Sequence, residues 1–374
     1  MTGHPPRRTA LAILVLPVLL VGLGGTAAPA GANPGTLSPG ALAAGADHEC
    51  VVPGGGTPHV AWASLHNPVL SYPDAAAKDE AVVWTGGRWH MLFSYVTHDT
   101  ALPGGVRWDV ATATSPDLAH WSAPRPWPAQ AGTVGVASPD GVRDPAGGFV
   151  VTYQSNPSAG GQDKVFYRTS PDLEHWSAPH PLAPRLAPQA QDRQIDAALA
   201  FTGHGLVLAY KASVGTGPQH FVIAYARSGS LRGPWRLVGR PDISLYGDTV
   251  ENYELVHAAG AWRLVATSNT LDQPWIFRLD GAPSDPASWL HWSAGRELAV
   301  PSQPWDTGTG TSSVGYEAAN AAFLCDARSA GGYSYLFYAG SSELTQFDGW
   351  GHAAVGVARS RDLVHWQVPP PASG

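Results

Sequence analysis

The sequence predicts an all-β fold, a five-bladed β-propeller with four antiparallel strands in each blade, and three observations carry that prediction. The first is a repeated marker. SPDLAHWSAP at residues 115–124 returns as SPDLEHWSAP at 170–179 and as SRDLVHW at 360–366, with looser copies SGSLRGPW at 228–235 and SDPASWLHW at 284–292. The second is its spacing. The tryptophans that close the five copies, Trp121, Trp176, Trp235, Trp292 and Trp366, are 55, 59, 57 and 74 residues apart, and self-similarity on that scale belongs to arrays and propellers. The third is composition. The 374 residues include 43 Gly, 34 Pro and 15 Trp, while only 14% are charged, against roughly 25% in an average soluble domain. Many turns and many aromatics point to short strands.

The elements follow in order. Residues 1–32 read as a signal peptide: Arg7 and Arg8 lead into LAILVLPVLLVGLGG and then into Ala30-Gly31-Ala32, an Ala-x-Ala cleavage pattern. The paired arginines also fit a twin-arginine export signal. Residues 33–58 read as a linker and 59–374 as the propeller domain, so the expected product is secreted and has about 340 residues. In the first blade EAVVW is followed by a TGG turn, then RWHMLFSYV, a Pro-Gly-Gly turn, VRWDVATATS, and the marker running into HWSAP. Four strands per unit in five units make the propeller. The marker is then the turn into the outermost strand, its Ser and Asp capping the turn and its Trp packing between blades. Sialidases carry a Ser-x-Asp-x-Gly-x-x-Trp box at the same place, but here the glycine is absent and no arginine trio stands out.

Charge and cysteines narrow the function. The formal net charge is −7, without a block of lysine or arginine, which speaks against nucleic acid or an acidic membrane as partner and for a neutral ligand. Nothing after residue 33 is apolar for long enough to span a membrane. Cys50 and Cys325 are the two cysteines. One lies just ahead of blade one and the other in the inner hairpin of blade five; in a closed ring those blades are neighbours, so a disulfide is expected. The fifteen histidines include no His-Glu-x-x-His, so no zinc hydrolase is indicated.

Chemistry should lie where the innermost strands begin beside the axis. Stacked without gaps, DEAVVWTGGRWHMLFSY from Asp79, DAALAFTGHGLVLAYKA from Asp196 and ENYELVHAAGAWRLVAT from Glu251 share an acid at one position. Thr85 and Thr202 match at +6, and Gly205 and Gly260 at +9. Blade two has SPDGV there, with Pro139 in register and Asp140 one step off, and blade five has YEAANAAFL. Three carboxylates converging on one pocket suit glycoside hydrolysis: one protonates the leaving oxygen, one activates water, and a third holds the acid's pKa high. The simpler reading of a strand-initial Asp is a turn cap. Glu251 and Glu254 alternate in direction along the strand, and the register favours Glu251 as the acid facing the pocket. Trp84, Tyr253, Asp140, Asn320 and His352 are the candidate substrate-binding residues, aromatic rings being suited to the apolar faces of sugars.

These segments resemble glycoside hydrolase families 43 and 62 over roughly residues 60–368. KDEAVVWTGGRWHMLFSY looks like their first blade, QIDAALAFTGHG is similar to their Ile-Asp third blade, and VENYELVHAAG resembles their fourth-blade Glu segment. The resemblance implies an inverting enzyme acting on arabinofuranosyl or xylosyl linkages of an oligo- or polysaccharide, with Asp79 as general base, Asp196 as pKa modulator and Glu251 as general acid. It implies no required cofactor and a monomer. Similar enzymes often hold a calcium or a water near the axis, where His352 of GWGHAAVGVA is a candidate neighbour, an ordinary exposed histidine being the alternative. Glu80 and Asn252 replace the proline and the glycine or alanine that often follow the first Asp and the Glu, so a different sugar is open. The Asn-Asp-Pro-Asn segment of fructan-processing families is missing. The rival from another class is a propeller that binds a glycan or a protein without cleaving it.

Overall fold

The computed structural model describes residues 50–102, 104–158, 160–241, 243, 250–268, 273–306, 320–341 and 353–370. They form five antiparallel sheets in chain order. Blade one is β1 (Ala75–Thr85), β2 (Arg88–His98), β3 (Val106–Ser115) and β4 (Arg125–Pro126); blade two is β5 (Thr133–Arg143), β6 (Phe149–Pro157), β7 (Lys164–Ser170) and β8 (His180–Pro181). Blade three is β9 (Arg193–Thr202), β10 (Gly205–Ser213), β11 (His220–Ala226) and β12 (Arg236–Gly239). Blade four is β13 (Val250–Ala258), β14 (Ala261–Ser268), β15 (Pro274–Arg278) and β16 (Arg296–Glu297). Blade five contributes β17 (Asn320–Asp326), β18 (Ser334–Gly340) and β19 (Ala354–Ser360). The innermost strands β1, β5, β9, β13 and β17 touch in sequence, and β17 returns to β1, which closes the ring. This is the five-bladed propeller that the repeat predicts.

An inner strand lies between two blades and is covered on both faces, so it reads as an apolar run rather than an alternation. RQIDAALAFT of β9 is buried over nearly its whole length. Each seam between blades has its own apolar cluster. Val83, Leu92 and Val110 of blade one meet Val151 and Tyr153 of blade two, with Trp176 packed against them. Trp235, Trp292 and Trp366 hold the same place in the next three seams. Trp121 packs into the seam between blades five and one.

The marker is built as the sequence suggests, with one addition. Asp117 Oδ1 accepts from the backbone N–H groups of Ala119 and His120 at 2.9 and 3.0 Å, and Trp121 Nε1 donates to Leu118 O at 2.9 Å. The histidine joins the cap: its Nδ1 lies 2.8 Å from Asp117 Oδ2, and the same contact recurs at 2.7 Å between His175 and Asp172 and between His365 and Asp362. Leu118, Leu173 and Leu363 adopt φ of 67, 63 and 62°. That left-handed backbone costs about 1–2 kcal/mol, and burying the leucine in the seam contributes a comparable 1.5–3 kcal/mol, roughly.

Blade five finishes differently. The outer edge of β19 is completed by pieces from both ends of the propeller. Val69 N donates to Val355 O and Val355 N to Leu70 O, at 2.8 and 2.9 Å. The Asn67 side chain then imitates a strand residue, accepting from Val357 N at 2.9 Å and donating to Val357 O at 3.0 Å. Gln367 exchanges both backbone bonds with Arg359. Cys50 and Cys325 form a disulfide with Cα atoms 5.3 Å apart, tying the segment ahead of blade one to β17. No helix among the described residues is long and apolar enough to cross a membrane.

Candidate active site

Every inner strand breaks its ladder at one common level, and β5 has a second irregularity nearer its start, between Thr133 and Gly135. The pairing skips two residues between Lys78 and Ala81, Ala137 and Asp140, Ile195 and Ala198, Glu251 and Glu254, and Asn320 and Phe323. The first residue of each bulge is left-handed: Asp79, Ser138, Asp196, Asn252 and Ala321 have φ of 54, 51, 52, 51 and 52°. Bulges of this kind re-aim side chains beside functional sites. Here five of them form a ring about the axis. The ring, the residues that follow it and Asp140, Glu254 and Phe323 line a cavity of about 360 Å³.

This ring corrects the register read from the sequence. Asn252, not Glu251, is the blade-four counterpart of Asp79 and Asp196, and Ser138, not Pro139, is that of blade two. The gapless stacking matched Gly260 with Gly205, but Gly260 lies in the turn between β13 and β14 whereas Gly205 already opens β10. Matching the hairpin turns instead brings Asn252 into line. Glu251 therefore stands one residue ahead of the ring, in the place held by Lys78, Ala137, Ile195 and Asn320 in the other blades.

Asp79 is 8% exposed and is held through one oxygen: Oδ2 accepts from Ser94 Oγ at 2.7 Å and from Ser138 Oγ at 3.3 Å. Ser94 Oγ in turn accepts from Ser138 N at 2.8 Å, which links blades one and two. No described residue hydrogen-bonds Oδ1. Asp196 is buried, with its backbone N–H donated to Gln154 Oε1 at 3.1 Å. Its carboxyl is pushed up to about 7, first by burial and then by the charge of Glu251; Lys211 acts in the opposite direction, Asp79 adds to the rise and Lys78 reduces it. Glu251 does not line the cavity. Its side chain is 32% exposed and reaches Lys211 of β10, with Nζ to Oε2 at 2.6 Å.

A second tier of acids forms the floor. Asp140 accepts from Leu199 N at 3.3 Å and is pushed up to about 7 by burial. Glu254 accepts from Leu324 N of blade five at 2.6 Å, and burial raises it well above the carboxylate range, with Asp140 and Glu80 adding to the effect. Burial raises Glu80 likewise, and among the described residues neither of its carboxylate oxygens has a hydrogen-bond partner. Tyr253 lines the cavity, stacks on Phe221 at 4.2 Å and donates its hydroxyl to Val250 O at 2.7 Å.

Of the candidate residues, Asp79, Asp196, Asp140 and Tyr253 come together at the cavity, and Glu251 stands beside it. Trp84 is placed elsewhere: it is 4% exposed in the core at the hairpin end of β1, its Nε1 donating to Gly55 O at 2.9 Å and Gly56 O at 3.1 Å. The physical reason is length, since Trp84 lies five positions farther along β1 than Asp79. Asn320 opens β17 one residue before Ala321. His352 lies outside the described residues. The sequence reading missed Ser94, Lys211 and the Glu80–Glu254 floor. A lone lysine in the buried strand GLVLAYKAS was the available signal for Lys211, which is 8% exposed.

No protein-family model matches the sequence, and no curated protein matches it. Solved structures do match. An α-L-arabinofuranosidase from Lactobacillus brevis superposes with a TM-score of 0.57 at 14% identity, over 84% of this chain and 100% of that one. A thermostable family-43 glycoside hydrolase gives 0.55 at 15% identity, over 83% and 97%. A third, described with the GH130 family of mannoside phosphorylases as containing glycoside hydrolases that target β-1,2 mannosidic linkages in Candida mannan, gives 0.55 at 13% identity, over 85% and 96%. The chain has the fold of these propeller glycoside hydrolases. Because the likeness extends equally to arabinofuranoside- and mannoside-directed proteins, the fold does not choose a sugar.

Proposed function

We propose that the chain is a secreted, monomeric glycoside hydrolase that cleaves arabinofuranosyl or xylosyl linkages of an oligo- or polysaccharide with inversion. The observation that carries this reading is the meeting of Asp79 and Asp196 at one cavity, with Glu251 of a third blade beside it and acting on Asp196. Asp79 is the water-activating base: Ser94 and Ser138 fix one oxygen and leave the other for the nucleophile. Glu251 is the donor to the leaving oxygen, and Asp196 is the neighbour that shares its proton. Asn252 takes a ring position that faces the sugar. Among the described residues no group of three or more His, Cys, Asp or Glu side chains is placed to hold a metal ion.

The test is a screen of aryl arabinofuranosides, xylosides and galactosides with the purified chain, with Asp79→Asn as control. Turnover of one of them that disappears in the variant supports the reading. Retention of glycans without turnover of any substrate would instead make the chain a binding propeller.

A further inference from the structure

Lys211 is a buried cation with a buried task. It lies on β10, in a strand otherwise made of small and apolar residues, and its ammonium meets Glu251 at 2.6 Å. It also acts on Asp196, whose surroundings are Glu251 and Tyr253 on β13, Lys211 on β10, Gln154 on β6, and Lys78 and Asp79 on β1. Asp196 is enclosed, and the Glu251 charge beside it further disfavours its ionised form. A lysine bonded to one member of this pair decides where the proton rests.

We propose that Lys211 is a positioning residue of the site: it pins Glu251 as the charged member beside Asp196, so that the pair carries one proton and the free site keeps it on Asp196. The proton passes to Glu251 when a glycosidic oxygen takes the place of part of the Lys211 contact. This rests on the glycosidase reading for its final step only; the resting arrangement stands without it. The consequence is directional. Loss of the lysine charge makes the pair hold its proton more tightly, and loss of the Glu251 charge makes Asp196 release it more readily.

Two measurements on the full chain separate the inference from the reading beneath it. The first needs no activity: infrared detection of protonated carboxyl between pH 5 and 9. The expected signal titrates near 7 and is absent in Asp196→Asn. Asp140, which also sits near 7, is removed from the spectrum with Asp140→Asn. Lys211→Met should raise the Asp196 midpoint by about one pH unit, a tenfold change in proton affinity; Lys211→Arg should leave it near the parent, and Glu251→Gln should lower it. If Lys211→Met does not fold, Glu251→Gln reads the same coupling from the other side. A midpoint indifferent to both Lys211→Met and Glu251→Gln, or a signal that vanishes with Glu251→Gln, overturns the proposal. The second is the alkaline limit of kcat on an aryl glycoside, which should move upward in Lys211→Met and return in Lys211→Arg. Titration as expected with no hydrolysis of any glycoside would retain the role of Lys211 and remove the glycosidase reading.

Discussion

Ser94 Oγ donates to Asp79 Oδ2 at 2.7 Å, across the β1–β2 ladder of blade one, and takes the Ser138 N–H of blade two in return. One hydroxyl thus orients a carboxylate and ties it to the neighbouring blade. A hydrogen bond to a charged group is worth about 1.5–3 kcal/mol, so Ser94→Ala should lower kcat about 10- to 100-fold with KM little changed. Asp79→Asn, which removes the base itself, should cost about 10²–10⁴-fold. NMR of the released sugar should show the inverted anomer, and the Asp79 and Glu251 carboxylates should be about 6.5–9.5 Å apart. Product with retained configuration would remove Asp79 as base.

Glu251 and Glu254 offer a sharper contrast. Glu254 lies in the floor, bonded to Leu324 N, while Glu251 is partly open beside Asn252. Glu251→Gln should abolish hydrolysis of substrates with poor leaving groups yet keep much of the activity on activated aryl glycosides, which need little protonation. Glu254→Gln should leave that dependence unchanged. The opposite pattern would transfer the donor to the floor.

Stability should fall as pH rises. Asp140 and Asp196 titrate near 7 when folded and at about 3.9 when unfolded. The native state therefore binds more protons than the unfolded one between those values, and stability is lost with increasing pH across that window, by up to about 1.4 kcal/mol per unit for each group. Glu80 and Glu254, also raised well above the usual carboxylate range by burial, add to the decline. Asp172, held low by the backbone N–H of His175, and Asp362, held low by the His365 ring, act in the opposite sense, and only below about pH 4. Melting temperatures from pH 4.5 to 8.5 should fall steadily in the parent and less steeply in Glu254→Gln. A flat or rising profile would contradict the burial of these acids.

The Cys50–Cys325 bond closes a loop of 275 residues, which the chain-entropy view values at roughly 5 kcal/mol. Cys50→Ser with Cys325→Ser should lower the melting temperature by several degrees and sharpen sensitivity to proteolysis near residue 50. Unchanged melting in the double variant would show that the seam between blades five and one holds without it.

The ring was readable because its markers repeat side chains, and side chains are what a sequence displays: Asp117, Leu118 and Trp121 recur with their contacts intact. The bulges were not, because an extra residue in a strand leaves no mark of its own. Asp79 and Asp196 sit in hairpins of equal length and aligned correctly, whereas blade four places its glycine one step earlier relative to the turn and carried Glu251 out of line. Lys211 was hidden for another reason. It lies on a second strand, and its meaning depends on a contact with a blade forty residues away.

The composite edge of β19 sets an order of events during biosynthesis. Asn67, Val69 and Leu70 leave the ribosome almost three hundred residues before Val355 and Val357, the backbone groups they must meet. Four blades can assemble from neighbouring sequence, but the last edge waits for both extremities of the domain, a contact of the greatest sequence separation and hence of slow formation. Until residues 354–367 are available, blade one has an unclosed flank and the nascent chain offers no finished ring. If the proposed secretion threads the chain across a membrane unfolded, such a late lock withholds the compact state until the whole domain has crossed.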